Sequence, residues 1–472
     1  MPDLTLAGAD GTRTSVDLSV LNALSTAFSG EVLTPSSPGY DDARAIWNAM
    51  IDRRPSLIAR CRTTADIVRA VQFAKSHRLL VAVRGGGHNI AGNATCDGGM
   101  VIDLSQMRTV EVDASGRTAT AEPGVTLGMY DAATQAHGLA TPLGINSTTG
   151  ISGLTLGGGF GWLSRKYGLT IDNLISAEVV TAGGEVLTAS ANENSDLFWG
   201  IRGGGGNFGI VSKFTFRLHP VGPEICSGLI VHPLADAKRV MTFYRQFTET
   251  LPNDVTIWAV MRKAPPLPFL PEAWHGKEII ALACACAGDM ASGEAALKPI
   301  RDFGSPIADV IGPHPYVGFQ QAFDPLLTPG MRNYWKTNNF AELNDAVIDA
   351  LIHSASNLPS PHCEVFIGQM GGATSRIPLE STAFPERTMK FVMNVHGRWE
   401  TAGEDSACIA WARGLADATK PHATGNAYVN FMTAEEGGRV EEAYGASYAR
   451  LVELKRKYDP TNLFRLNQNI KP

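Results

Sequence analysis

A chain of 472 residues, 44% apolar and 18% charged, has the composition of an ordinary globular protein and the length for roughly two or three domains. Its formal net charge of −6 gives no basic footprint for nucleic acid, and the one basic run, Lys455-Arg456-Lys457, suits the exposed end of a C-terminal helix. The first residues, MPDLTLAGADGTRTSVDL, lack a basic segment followed by an apolar one, and no stretch has the length to span a bilayer, so a cytoplasmic protein with no membrane or nucleic-acid partner is expected.

In chain order, Thr63-Thr64-Ala65-Asp66 has the hydroxyls and carboxylate of a helix start, and the helix it opens leads into a strand at about residue 79. That strand belongs to LLVAVRGGGHNIAG (79–92), where an apolar, β-branched run breaks into three glycines. A turn without Cβ atoms lets a flat or anionic ligand lie against the backbone. His88 then stands at the mouth of a ligand site, although a histidine in a glycine loop also occurs as a solvated or structural residue. Short strands are predicted at 100–104, 108–112 and 117–121, a helix near 125–137, and a hairpin at 177–189 turning on Gly183-Gly184.

From 219 to about 418 the pattern changes to longer apolar strands (SGLIVHPL, IWAVMRK, EIIALACACA, HCEVFIGQM, KFVMNVHGRW) between helical segments and Pro-rich loops. This predicts an antiparallel sheet with helices on one side, and therefore a second domain in an α+β protein. The seven cysteines (Cys61, Cys96, Cys226, Cys284, Cys286, Cys363, Cys408) are scattered without Cys-x-x-Cys spacing, so neither a disulfide framework nor a metal site is expected; Cys284 and Cys286 read as core. The helix within YARLVELKRKYDPTNLF is stopped by Asp459-Pro460.

Gly204-x-Gly206-x-x-Gly209 matches the dinucleotide fingerprint letter for letter, but that motif works only when a helix follows, and IVSKFTFRL alternates as a strand. No Walker lysine follows any glycine run. What remains is three glycine-rich turns, at 85–87, 157–161 and 203–209, which together can present backbone N–H groups to a phosphate.

Taken jointly and in order, RGGGHNIAG (84–92), GLTLGGGFGWLSRKYGLTIDNL (153–174), DLFWGIRGGGGNFGIVSKFTF (196–216), YWK (334–336) and KYDPTNLFRLNQNI (457–470) resemble the berberine bridge enzyme-like flavoprotein oxidases of the vanillyl-alcohol oxidase superfamily. The resemblance implies a two-part FAD-binding domain of the PCMH type, residues 1–218 completed by 419–472, and a substrate-binding domain at 219–418 with an antiparallel sheet. It matches His88 to the histidine that bonds covalently to the flavin. Many relatives add a second bond through cysteine in G-x-C-x-x-V-G; here Gly144-Ile145-Asn146-Ser147-Thr148-Thr149-Gly150 puts Asn146 at that place, as in the singly linked branch that includes 6-hydroxy-D-nicotine oxidase. By the same match Arg84, Gly85, Gly86, Gly87, Asn89, Asn146, Thr149, Gly150, Gly153, Thr155, Gly158, Gly161, Asn207, Phe208, Gly209, Ile210 and Val211 are expected to line FAD, with 149–153 near its reactive edge, and Asn467 and Asn469 to close over it.

The resemblance places a catalytic carboxylate on a strand ending in tryptophan; here that strand is FVMNVHGRW and the position is Asn394. Alternation puts Val392, Asn394 and His396 on one face, expected to look towards the flavin. His396 is then a candidate base, since imidazole ordinarily titrates near neutrality, or else a histidine satisfied by its neighbours. Tyr428 is expected to hydrogen-bond a substrate oxygen, its phenol pKa lowered by a nearby cation; Lys336 is the candidate cation, or an ion-paired surface residue. Phe431 and Glu386 also depart from the usual pattern. The function implied is an FAD-dependent oxidase taking hydride from a C–H next to an alcohol or amine of a sugar, alkaloid or other secondary metabolite. O2 is the expected acceptor, giving H2O2, and the protein a monomer or homodimer. A dehydrogenase and an inactive flavin-binding protein are the alternatives.

Overall fold

The structure, a computed structural model, describes residues 4–472. Thr63 caps the helix Thr64–Ser76, its hydroxyl and the Asp66 carboxylate completing a reciprocal capping box. The helix covers a four-stranded sheet ordered Glu31–Leu33, Leu57–Arg60, Met100–Asp103, Val81–Arg84, whose last three strands are parallel. Both central strands are buried and nearly continuous in apolar residues, as a doubly covered parallel sheet requires. Val81–Arg84 delivers the chain directly into Gly85–Gly86–Gly87.

A second, antiparallel sheet runs Val186–Ser190, Leu174–Val180, Ile210–Arg217, Thr118–Ala121, Val110–Asp113. The glycine loop 203–209 enters Ile210–Arg217, which is paired on both sides. A helix, Ser195–Ile201, precedes that loop and a strand follows it, the reverse of a dinucleotide-binding turn.

The largest sheet has eight strands among the described residues. Its main path is Ala308–Asp309, Glu224–Pro233, Glu278–Cys286, Val255–Lys263, Glu364–Gln369, Phe391–Trp399, Arg332–Phe340. Helices Ala237–Thr250, Met290–Arg301, Asp345–Ala355 and Asp405–Thr419 cover one face, packing Val240, Leu297, Leu351 and Leu415 against Ile257, Leu282, Val365 and Met393. Each such buried side chain contributes about 1.5–3 kcal/mol. Exposed pairs such as Lys238–Asp349 contribute about 0–1 kcal/mol, so apolar burial fixes these helices to the sheet. Cys284 and Cys286 lie in this core. The other face is left for the site.

The C-terminal helix Tyr448–Tyr458 corrects one expectation. Lys455, read as part of an exposed basic run, is completely buried: its ammonium donates to the carbonyls of Asn207 (2.9 Å) and Phe464 (2.8 Å) and to Asp459 (2.8 Å). Asp459 accepts in turn from the N–H groups of Leu463 and Phe464. Losing one partner of such a buried pair costs about 3–5 kcal/mol, so this lysine anchors the last turn of chain against the 203–209 loop. No described helix is long and apolar enough to cross a membrane.

Asp131, on the helix Leu127–Gln135, is buried beside Gln320, whose amide donates to Asp131 (3.0 Å) and to the Gly144 carbonyl (3.2 Å). Burial pushes the Asp131 carboxyl up to about 7. The folded state therefore holds this proton more tightly than the unfolded state, and its contribution to stability is present at acid pH and lost as pH rises from about 4 to about 7. Thermal melts from pH 4.5 to 8 should show Asp131→Asn gaining several degrees on wild type as pH rises; parallel Tm curves would contradict this.

Candidate active site

The floor is made where two turns cross. A Cβ on Gly86 would lie 2.4 Å from the Gly150 nitrogen, and a Cβ on Gly150 would lie 2.4 Å from the Gly86 nitrogen. No other residue type permits that approach. The crossing sets His88 beside Thr148, with His88 Nε2 3.0 Å from Thr148 Oγ1. The Thr148 hydroxyl and N–H both donate to Asn146 Oδ1, at 2.7 and 3.0 Å. With its proton spent there, the hydroxyl accepts from His88, so this network assigns the proton to Nε2 and leaves the lone pair on Nδ1. Burial holds the imidazole down at about 4, against a smaller upward pull from Thr148, so it is neutral at physiological pH. Trp47 stacks on it at 5.1 Å.

Between this floor and the open face of the large sheet lies a cavity of about 390 Å³. Of the residues expected to line FAD, Gly85, Gly86, Gly87, His88, Asn89, Asn146, Thr149, Gly150, Gly153, Gly209, Ile210, Val211 and Asn467 lie on its wall. Six others do not. Arg84 turns beneath the glycine turn, its guanidinium on Asp103 (3.1 and 2.5 Å) and on the Ala43 carbonyl, because a buried arginine needs its counter-ion. Gly161 is pressed against the Leu143 carbonyl and Gly158 against the Phe384 ring. Thr155 is wholly buried in the helix Ile151–Leu156. Asn207 is spent on the tail, donating to Gly204 and Gln468 carbonyls and accepting from Ile470 N–H. Asn469 also lies off the cavity wall, as does Phe208 in the core.

The roof carries one polar row. Arg262, Glu364, His396 and Trp335 are direct cross-strand neighbours on four adjacent strands, all on the cavity face. Glu364 accepts from Arg262 Nη1 at 2.6 Å and from His396 Nδ1 at 2.8 Å. Burial alone would raise the Glu364 carboxyl, but Arg262, His396 and Arg398 more than offset it and hold it at about 2. An ionised Glu364 fixes the His396 proton on Nδ1 and leaves Nε2 with a lone pair on the cavity wall. Trp335 stacks on the imidazole at 4.7 Å, and the Phe366 ring lies parallel to it at 6.2 Å.

The other residues expected to carry chemistry sit differently. Asn394 is on the face of His396 but one row deeper, cross-strand from Phe366 and Thr337, fully buried and off the cavity wall. Lys336, on the opposite face of its strand, is bound by Glu435 (3.0 Å), Glu436 (3.1 Å) and Thr433, and does not reach the cavity. Tyr428 lines the cavity, but no cation lowers its pKa: burial pushes the phenol up to about 12, against hydrogen bonds from Asn430 and Gly159. Because its oxygen accepts from both, at 3.0 Å each, what it has left to offer is its proton. Sequence reasoning missed Glu364, Arg262, Thr148 and Trp47. A carboxylate in the apolar run of HCEVFIGQM was a usable signal for Glu364; strand register, which brings it to His396, was not readable.

Comparison with known proteins points the same way. Residues 55–190 match the FAD binding domain family, and residues 427–471 the berberine and berberine like family. The chain is 31% identical over 459 residues to an FAD-linked oxidoreductase of Dictyostelium discoideum, covering 96% of this chain and 97% of the relative. It is 30% identical over 467 residues to (R)-6-hydroxynicotine oxidase of Paenarthrobacter nicotinovorans, covering 94% and 97%. Among solved structures, 6-hydroxy-D-nicotine oxidase from Arthrobacter nicotinovorans superposes with a TM-score of 0.85 at 28% identity, covering 94% and 98%. A chitooligosaccharide oxidase gives 0.84 at 25%, covering 96% and 99%.

The cavity fits FAD on its own evidence of shape. At Gly153 and Gly206, both on the cavity wall, an added Cβ meets no protein atom within 4 Å. Gly153 lies inside a helix, where glycine costs about 1 kcal/mol relative to alanine. The space is kept at the expense of the helix, which is expected where a ligand fills it. Asn467 adds a buried Oδ1 without a partner among the described residues. Accordingly Gly153→Val should fold with wild-type circular dichroism and carry less than a tenth of the wild-type flavin, whereas Gly86→Ala should lower stability outright. Full flavin content in Gly153→Val would refute this assignment.

Proposed function

The chain belongs to the berberine bridge enzyme-like FAD-linked oxidoreductases, and from that premise we propose that it is an oxidase acting on a C–H bond next to a hydroxyl or amine of a small molecule. FAD, joined covalently to His88 alone, supplies the hydride acceptor, and O2 takes the electrons on to give H2O2. The observation that carries this reading is the pairing of two oriented histidines across one cavity: Nδ1 of His88 on the floor and Nε2 of His396 in the roof. Asn146, in place of the second anchoring cysteine, serves instead as the acceptor that orients Thr148 and so His88. Residues 219–418 then act as the substrate domain, and 419–472 complete the FAD-binding part of 1–218.

In the roof, His396 Nε2 takes the proton of the substrate hydroxyl as its C–H bond breaks. Glu364 stabilises the imidazolium that forms, and Arg262 keeps Glu364 ionised. Tyr428 donates its phenolic proton to a substrate or cofactor oxygen on the floor side. Trp335, Phe431 and Phe160 exclude water around these groups and keep Coulomb attraction strong there. Trp47 spans both halves, stacked on His88 and edge-on to Trp335 at 5.7 Å.

General-base catalysis is worth roughly 10²–10⁴-fold. His396→Ala should lower the rate of anaerobic flavin reduction by that factor with flavin content unchanged, and added imidazole should restore part of it. Glu364→Gln should lower kcat with little change in KM, since it affects the imidazole's tautomer and charge rather than the cavity shape. Wild-type reduction rates in His396→Ala would sink the assignment.

A further inference from the structure

The rest of the roof says what kind of donor this site takes, an inference that rests on the function just proposed. Beside the polar row, the next cross-strand row brings Val231, Ala281, Val260 and Phe366, all apolar, to the cavity wall before it runs on to the buried Asn394 and Thr337. The loop joining strands Val255–Lys263 and Glu278–Cys286 folds over the same space and contributes Leu267 and Phe269. That loop is closed by hydrogen bonds from Ala264 N–H to Lys277 O (2.8 Å) and from Gly276 N–H to Ala264 O (2.9 Å). On this roof, the charges of Arg262 and Glu364 offset each other, so the hydrogen-bonding positions open to a substrate gather at one end of the row, at His396 Nε2 and the outer N–H groups of Arg262.

A site whose open hydrogen-bonding groups cluster at His396, with the Tyr428 phenol on the floor side, and whose remaining roof is apolar selects for a ligand with its polar group at one end. A saccharide carries a hydroxyl on most of its carbons, and each hydroxyl buried against Val260, Phe366 or Leu267 would lose its water without gaining a partner. A charge laid against that wall would likewise lose its water, and the one carboxylate of the row is already held by Arg262 and His396. We propose that the substrate is an uncharged, ring-bearing and otherwise apolar alcohol, whose hydroxyl is held by His396 and whose ring system lies against the Val231–Val260–Phe366 wall, and that sugars are excluded.

The test uses the flavin-loaded protein under anaerobic conditions, with 2-naphthol as a non-oxidisable probe and cellobiose as the saccharide. Binding is read from perturbation of tryptophan fluorescence and of the flavin spectrum, independently of turnover. The expected result is saturable 2-naphthol binding at least 100-fold tighter than that of cellobiose, weakened more than tenfold in the flavin-loaded fraction of Val260→Asp. Tighter binding of cellobiose, or no saturable response to 2-naphthol up to its solubility limit, overturns the proposal on wild-type protein alone. Failure of the underlying function is seen separately, as protein that carries no flavin or releases no peroxide with any donor.

Discussion

The backbone contact between Gly86 and Gly150 is the constraint on which the rest of the site depends. Because each nitrogen occupies the space where the other residue's Cβ would be, the two turns cross at the shortest separation a polypeptide allows. Counting outward, His88 stands two residues beyond one glycine and Thr148 two before the other, so the crossing itself brings imidazole to hydroxyl. Asn146 then fixes the direction of that hydrogen bond. The neutral, oriented histidine is thus a product of chain packing and not of any charged neighbour: burial alone depresses its basicity.

The roof solves the complementary problem by sheet register. Direct cross-strand pairing lines up Arg262, Glu364 and His396 across three strands, giving a base that is oriented by a carboxylate held ionised by an arginine. Alternation sends the flanking residues of those strands, such as Met261, Val365 and Val395, into the helix-covered core. The same strands therefore provide both the rigidity and the chemistry. Floor and roof are tied beside the two histidines: Asn48 and Asn333 exchange hydrogen bonds (2.9 and 3.0 Å), and the adjacent Trp47 donates to the Leu327 carbonyl while touching both His88 and Trp335.

Much of this was legible in the sequence wherever local chemistry decides the outcome. The capping residues around Thr63, the strand after the 203–209 glycines and the alternation in FVMNVHGRW each follow from a few adjacent residues, and each matches the structure. What could not be read depends on contacts between distant segments. Lys336 and Lys455 look alike as sequence, yet one is neutralised by Glu435 and Glu436 outside the cavity and the other is buried under the C-terminal tail. Arg84 and Asn207 sit in cofactor-binding motifs but serve the backbone behind them. The Glu364–His396 pair links residues 32 apart in the chain, and only strand register reveals it.

The central claim is that a single covalent bond from His88 holds the flavin. It is tested most directly by running wild type and His88→Ala on a denaturing gel, viewing flavin fluorescence, and recording absorbance of the acid-precipitated pellets. The account predicts fluorescence and yellow colour that stay with the wild-type chain and are absent from the variant. Colour that remains with His88→Ala would reveal another anchor, and flavin that leaves the wild-type chain on denaturation would contradict the covalent assignment.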